Sequence, residues 1–168
     1  MLAINAGDKV QITADAAALL ADSPRDDIRN LRLDQKPYWH IERARIGDTR
    51  RVPVELIVNG QVAATAEITG NGEIHNLEFE YELHASSWVA LRIFPSCHTN
   101  PVFVEVDGQP IRASKRSAQW CLDAVDVCWK QKEPRTRAEE KSAAAEAYEV
   151  ARQAYRRIRQ LFLRRFDA

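Results

Sequence analysis

Apolar and polar residues alternate with a period of two through the N-terminal two thirds of the chain, which is the pattern of half-buried β-strands. The clearest case is a pair of alternating runs on either side of Asn59-Gly60. Asn-Gly accepts positive φ at both central positions of a tight turn, and this geometry suits the twist of two paired strands. We therefore predict a β-hairpin over residues 52–68.

Other segments carry the same signal. The segment from Trp88 to Phe94 is apolar at every position except Arg92, which is typical of a central strand. The run that ends at Asp107-Gly108 predicts a second hairpin turn. Residues 77–83 alternate apolar side chains with glutamates. The predicted strand segments outside the hairpin are 10–14, 77–83, 88–94 and 102–106.

The stretch from Ala16 to Tyr38 is polar and irregular, and it contains Pro24 and Pro37. We interpret it as a long solvated connection with one helical turn near Ala16–Leu20. Its four aspartates have no EF-hand spacing, so a calcium loop is not indicated. Six or seven short strands with hairpin connections predict a mainly β fold, an antiparallel immunoglobulin-like β-sandwich over residues 1–112.

After Arg112 the apolar period becomes helical, so residues 113–168 are predicted as a two-helix C-terminal extension packed on the sandwich or on a partner. The first helix is expected from about Ser114 to Lys130, followed by a polar break. Thr136 and Glu139 have the spacing of a capping box, which predicts the start of a second helix that runs to about Arg165.

The second helix carries a stripe with 4-3-4-3-4 spacing, which is heptad-like over about three repeats. Packing of this stripe against the preceding helix or the sandwich is the preferred interpretation, and a homodimer seam is the alternative. The stripe consists of Ala144, Tyr148, Ala151, Tyr155, Ile158 and Phe162. The alternative predicts a homodimer through Tyr148, Tyr155, Ile158 and Phe162, in which case the chain would be an oligomerisation module.

The chain of 168 residues has 24 basic and 24 acidic side chains, so its formal net charge is zero. Residues 1–112 have 11 basic and 16 acidic groups, whereas residues 113–168 have 13 and 8. No apolar run approaches the roughly 18 residues that span a bilayer, and the first residues do not resemble a secretory signal. We therefore expect neither a nucleic-acid partner nor a membrane partner.

The residues that could carry chemistry are scattered. The four histidines form no HxH or HExxH pair, and the three cysteines form no CxxC pair. Cys121 and Cys128 are seven residues apart on a helix, hence about 10 Å apart, and should stay reduced. Cys97-His98 is the most enzyme-like dipeptide, but adjacent side chains seldom face each other. We predict no catalytic residue, cofactor or metal in this chain.

Three segments resemble the C-terminal portion of CehA/McbA-type metallohydrolases, members of the polymerase-and-histidinol-phosphatase superfamily. They are DQKPYWHIERARIGDTRRVPVELIVNG, SSWVALRIFPSCHTNPVFVEVDGQPIRASKRSAQWCLDAVDVCWKQK and AYEVARQAYRRI. The resemblance implies a non-catalytic β accessory domain with trailing helices. It also implies an upstream hydrolase domain in a longer polypeptide, which would hold the divalent metal and be the main partner.

The second segment contains a stretch that resembles the family's S-x-H-T-N-P loop. The resemblance implies that this loop is structural or faces the upstream domain. A carbohydrate- or cell-surface-ligand-binding module is the alternative function, with aromatic residues such as Trp39 as a stacking platform; Trp88 is instead expected in the core. The candidate interdomain or ligand residues are Cys97, His98, Thr99, Asn100, Trp39 and His40.

Overall fold

The computed structural model describes residues 1–112 and 114–163, and it divides into two compact units, Met1–Ile111 and Arg112–Ala168. The first unit is mostly β and the second is helical. The strands are β1 (Leu2–Ile4), β2 (Asp8–Leu19), β3 (Arg51–Val58), β4 (Gln61–Thr69), β5 (Asn71–Leu83), β6 (Ser87–Ile93), β7 (Cys97–His98) and β8 (Val102–Val106).

The strands form two sheets, in which all pairs except β1 with β8 are antiparallel. The larger sheet has the order β1-β8-β6-β3-β4, with β7 also paired to β6, and the smaller sheet consists of β2 and β5. Both sheets supply side chains to one hydrophobic cluster. Phe79 of β5 lies there with Leu56 of β3 and Val104 of β8. The mostly antiparallel pairing and the C-terminal helices are therefore confirmed, while the described residues as a whole are mixed α/β instead of mainly β.

The hairpin predicted over residues 52–68 is confirmed as β3 and β4. Asn59 and Gly60 have φ of 50° and 86°, so both central positions of the turn have positive φ. The segment at 88–94 is also confirmed as a central strand, because β6 lies between β8 and β3. The turn at Asp107-Gly108 also has positive φ at both positions. However, no strand follows it in residues 109–112, so the second hairpin prediction is wrong.

The helical turn predicted near Ala16–Leu20 is wrong, because residues 16–19 belong to β2. Alanine favours helices by intrinsic propensity, but here alternate residues, Ala18 and Leu20, are buried in the core. Pairing with β5 therefore overrides the local preference. The helical turn lies later, as α1 at Asp26–Arg29.

The connection between β2 and β3 is held by arginine–carboxylate contacts. A short 3-10 helix, Ile41–Ala44, lies within this connection. Each of the four aspartates from residue 22 to residue 34 contacts an arginine instead of converging on one point. The pairs are Asp22–Arg50 at 2.6 Å, Asp26–Arg29 at 2.6 Å, Asp27–Arg25 at 2.5 Å and Asp34–Arg32 at 3.0 Å.

The helical unit contains α2 (Lys115–Lys132) and α3 (Lys141–Leu163), separated by 3-10 turns at Glu133–Arg135 and Ala138–Glu140. Ser114 caps α2 by accepting a hydrogen bond from the Ser117 amide at 3.2 Å. The predicted capping box is wrong, because the Thr136 hydroxyl donates to the Lys132 carbonyl at 3.0 Å. Thr136 therefore satisfies a backbone carbonyl at the end of α2. None of the described helices is long and apolar enough to cross a bilayer.

All residues of the predicted α3 stripe except Phe162 have side chains that can be compared with the structure. Tyr148 contacts α2, since its ring lies 4.9 Å from that of Trp129 and its hydroxyl lies 3.2 Å from Cys128 Sγ. Packing against the preceding helix is therefore present at this position. The side chain of Phe162 and the residues from Arg164 onward lie outside the described part of the chain. A dimer through Tyr148, Tyr155, Ile158 and Phe162 stays a prediction.

Candidate functional site

The two faces of β6 differ sharply. Val89, Leu91 and Ile93 are buried in the core, while Trp88 and Arg92 lie on the opposite, outer face and are partly exposed. Successive side chains of a strand point to opposite faces, so the outer face receives the even-numbered residues. The outer side of the central strand thus carries a large aromatic ring and a cation.

Neighbouring strands extend this outer face with apolar groups. Trp88 lies directly opposite Phe103 of β8, and Ala90 lies opposite Ile57 of β3. Phe103 is 49% exposed although it belongs to a paired strand. The Trp88 ring also approaches the β3–β4 turn, because a Cβ built at Gly60 would lie 3.8 Å from Trp88 Cζ2. The result is a contiguous aromatic surface.

The other end of the surface is formed by the chain that leaves β6. Phe94, 54% exposed, begins this turn, and the Arg92 guanidinium carbon lies 5.3 Å from its ring centroid. A cation above a ring face at this distance is attracted by the ring quadrupole. Arg92 Nε also donates to Glu55 Oε2 at 2.5 Å. This end of the surface is therefore polar and ordered by an ion pair.

Together these residues enclose a groove of about 630 Å³. Grooves of this size accommodate small ligands or the anchor side chains of a protein partner. The floor comes from Ile57 and Ala90, and the polar end comes from Arg92. The residues that line the groove are Ile57, Gly60, Trp88, Ala90, Leu91, Arg92, Phe94, Pro95, Ser96, Cys97, His98, Thr99, Pro101 and Phe103.

Three of the predicted candidate residues, Cys97, His98 and Thr99, line this groove. Cys97 and His98 form β7 and are exposed. Within the described residues no hydrogen bond joins them, and His98 Nδ1 lies 3.0 Å from the Thr99 carbonyl instead. Asn100 is exposed but is not among the lining residues.

Thr99 has a structural role in the backbone hydrogen bonding of the loop. Its amide donates to the Leu91 carbonyl at 2.9 Å, and its Oγ1 accepts from the Leu91 amide at 3.1 Å. The Thr99 hydroxyl thus takes the place of a backbone carbonyl as the acceptor for the Leu91 amide, in the segment between β7 and β8 that precedes Pro101. These two hydrogen bonds between Thr99 and Leu91 fix the loop 97–100 to β6.

Trp39 and His40 lie elsewhere and do not line the groove. His40 Nδ1 accepts a hydrogen bond from the Glu42 amide at 3.1 Å, so it caps the 3-10 helix Ile41–Ala44. Trp39 is 49% exposed and stands edge-on to Tyr38, with ring centroids 4.6 Å apart and planes at 87°. The two rings are perpendicular and so do not present one shared flat surface, and a stacking role of Trp39 stays a prediction.

The aromatic residues of the groove were not evident from the sequence. Trp88 was expected in the core because its strand is almost entirely apolar. The available signal was Arg92: a cation four residues along the same strand belongs on the solvent side, and strand alternation then places Trp88 on that side too. Phe103 could not be placed in this way without the register of β6 and β8.

The buried ionisable groups of the first unit belong to an ion pair away from the groove. Arg45 binds Glu42 through two contacts, Nε to Oε1 at 2.6 Å and Nη2 to Oε2 at 3.0 Å, and both side chains are inaccessible to solvent. Burial acts to raise the pKa of Glu42, but hydrogen bonds from Arg45 and from the Arg25 amide outweigh it, so the pKa lies below its usual value.

Within residues 1–112 and 114–163 no three histidine, cysteine, aspartate or glutamate side chains come close enough to hold a metal ion. The cysteines are free thiols: Cys97 is exposed, and Cys121 and Cys128 are partly buried. The groove therefore offers aromatic contact, one ion pair and a histidine, which suit binding. No family model, no curated protein and no solved structure matches this chain.

Proposed function

We propose that residues 1–111 form an immunoglobulin-like β-sandwich that acts as a non-catalytic accessory domain. It docks through the outer groove on a metal-dependent hydrolase domain of a longer polypeptide. The observation that carries the proposal is the exposed aromatic surface of Trp88, Phe94 and Phe103. The resemblance of three sequence segments to the CehA/McbA-type metallohydrolases supplies the class of partner.

The strand order supports the sandwich. In the larger sheet β1 runs parallel to β8, while β8, β6, β3 and β4 pair antiparallel in that order. The other layer consists of β2 and β5, and this arrangement supports an immunoglobulin-like fold. The two sheets contribute to a common core, as two stacked layers require. Trp88 and Phe103 lie on the face of the larger sheet that points away from this core.

The composition of the groove supports docking. Protein interfaces are enriched in aromatic residues and arginine and depleted in lysine at their centres, and anchors of this kind carry most of the binding free energy. Trp88, Phe94 and Arg92 match that description. A contiguous apolar surface on the outside of a sheet is otherwise unfavourable in water.

Carbohydrate binding is the second candidate, and one observation favours it. Trp88 presents its ring beside polar groups, the Arg92–Glu55 ion pair and the exposed His98. Sugars stack their C–H faces on such rings while their hydroxyl groups bond to nearby polar atoms. A glycan array with the wild type and Trp88→Ala distinguishes the candidates, because sugar binding that is lost in the variant favours this one.

Two measurements test the accessory role. The purified chain, supplied with Mn²⁺ or Zn²⁺ and a chromogenic phosphate ester, is expected to show no turnover above the metal blank. The longer polypeptide encoded by the same reading frame is expected to show metal-dependent turnover. Activity of the chain alone, or a reading frame without a hydrolase domain, would overturn the proposal.

A further inference from the structure

The two helices of the C-terminal unit form an antiparallel hairpin. Cys128 lies against Tyr148, and Arg152 Nε donates to Asp126 Oδ1 at 2.6 Å. The contacts pair the end of α2 with the start of α3, as an antiparallel arrangement requires. One side of α3, which includes Tyr148 and Arg152, is thereby occupied within the chain.

A second apolar stripe of α3 stays open. Its members follow a 4-3-4-4-3 spacing, which places them on one face of a helix. Val150 is 62% exposed and Leu161 is 50% exposed, and no α3 side chain is fully buried among residues 141–161. The open stripe consists of Ala143, Ala147, Val150, Ala154, Ile158 and Leu161.

The open side of the hairpin also includes part of α2. A groove of about 420 Å³ between the helices is lined by Trp120 and Ala124 from α2 and by Ala147 and Ala151 from α3, among others. Trp120 is 70% exposed. A pair of helices cannot enclose a hydrophobic core by itself. Helical bundles bury their apolar faces by packing further helices against them.

Charges beside the open stripe indicate what covers it. Glu146 and Arg157 are eleven residues apart, which is close to three full turns, so they flank the stripe on the same side. Both are exposed, and neither has an ion pair with another described residue. When two copies of a helix pair antiparallel, the side of the stripe that carries Glu146 and Arg157 in one copy lies next to the same side in the other copy. Glu146 of one copy therefore meets Arg157 of the other. In a parallel pair, opposite flanks would face each other, and Glu146 would not meet Arg157 of the other copy.

Side-chain size agrees with the same register. An antiparallel pair centred near residue 152 places Ala143 opposite Leu161 and Val150 opposite Ala154. Each large side chain therefore meets a small one, which permits close packing of the helices. Charge and volume are thus complementary in a single alignment of α3 with itself.

We propose that the helical unit binds a second copy of this chain through the open stripe, with α3 antiparallel to α3 and Glu146 paired with Arg157 across a twofold axis. The two hairpins then form a four-helix arrangement that covers the exposed apolar residues of α3 and α2. The proposal is independent of the outer groove on the β-unit.

Sedimentation equilibrium of the full chain over a range of concentrations tests the proposal. The wild type is expected to reach twice the monomer mass. Val150→Glu is expected to weaken association at least about 100-fold, because it buries a carboxylate in each half of the interface. Gln160→Glu, which adds the same charge at an exposed position outside the open stripe, should behave as the wild type. Circular dichroism of each variant verifies the helix content.

A charge exchange makes the test specific. Glu146→Arg and Arg157→Glu are each expected to weaken the dimer about tenfold, and the double variant should return to within about twofold of the wild type. Misfolding cannot produce such a rescue, since the two residues are distant within one chain. A monomeric wild type, whether its stripe is covered by its own chain or left open, would overturn the proposal. So would a dimer unaffected by Val150→Glu or a double variant without rescue.

Discussion

Trp88 of β6 lies directly opposite Phe103 of β8, and both rings line one groove on the outer face of the larger sheet. Cross-strand aromatic pairs of this kind stabilise a sheet, but these two rings are also available to a partner. The same residues therefore connect the stability of the sheet with the proposed docking function.

The hydrogen bonds between Thr99 and Leu91 predict a stability effect in the loop that borders the groove. Thr99→Val keeps the shape of the side chain but removes the acceptor of the buried Leu91 amide. We expect the free energy of unfolding to fall by about 1–3 kcal/mol, measured by urea denaturation. Asn100→Ala, at the exposed neighbouring position, should change it by less than about 0.5 kcal/mol. Equal effects of the two substitutions would contradict the structural role of the hydroxyl.

The buried ion pair predicts a larger effect. Arg45→Met leaves the Glu42 carboxylate buried without its partner, and it also removes the hydrogen bonds from Arg45 to the carbonyls of Ala21 and Thr49. We expect a loss of about 3–5 kcal/mol in the free energy of unfolding.

Arg25→Met is the matched control for this substitution, because the Arg25 side chain pairs with Asp27 at a site where both are more than half exposed. It should cost less than about 1 kcal/mol. If the two methionine variants unfold at the same denaturant concentration, the Glu42–Arg45 pair does not stabilise the fold as described.

The lowered pKa of Glu42 predicts a dependence of stability on pH. A carboxyl group whose pKa is lower in the folded chain than its ordinary 4.5 stabilises the fold fully above that value. The contribution is lost as the pH falls through the lower pKa of the folded state. The difference in unfolding free energy between the wild type and Glu42→Gln should therefore shrink in acid. A difference that stays constant from pH 7 to pH 3 would contradict this explanation.

Local sequence determined much of the β-unit. Asn59-Gly60 specified a turn by its φ preference, and alternation specified the strands around it, because both depend on neighbouring residues only. β1 was not predicted, since three residues are too few for a periodic signal and its pairing with β8 joins the two ends of the unit. Ala16–Leu20 was misassigned for the same reason, as its strand partner lies more than fifty residues away.

The site was predictable only in part. The sequence drew attention to Cys97, His98 and Thr99, and the structure places them beside the groove. The sequence did not reveal that Thr99 completes the hydrogen bonding of β6. That role depends on the segment between β7 and β8 lying beside Leu91. His40 was a candidate for binding, but its ring serves as a helix cap, a function that becomes visible only when the Glu42 amide is placed.

The most direct test of the proposed docking is calorimetric titration of the proposed hydrolase domain, expressed separately, into this chain. We expect saturable binding to the wild type that Trp88→Ala weakens at least about tenfold. Trp39→Ala removes an equally large ring outside the groove and should leave the affinity unchanged. An unchanged affinity in Trp88→Ala, with both variants folded, would contradict docking through the outer face of the larger sheet.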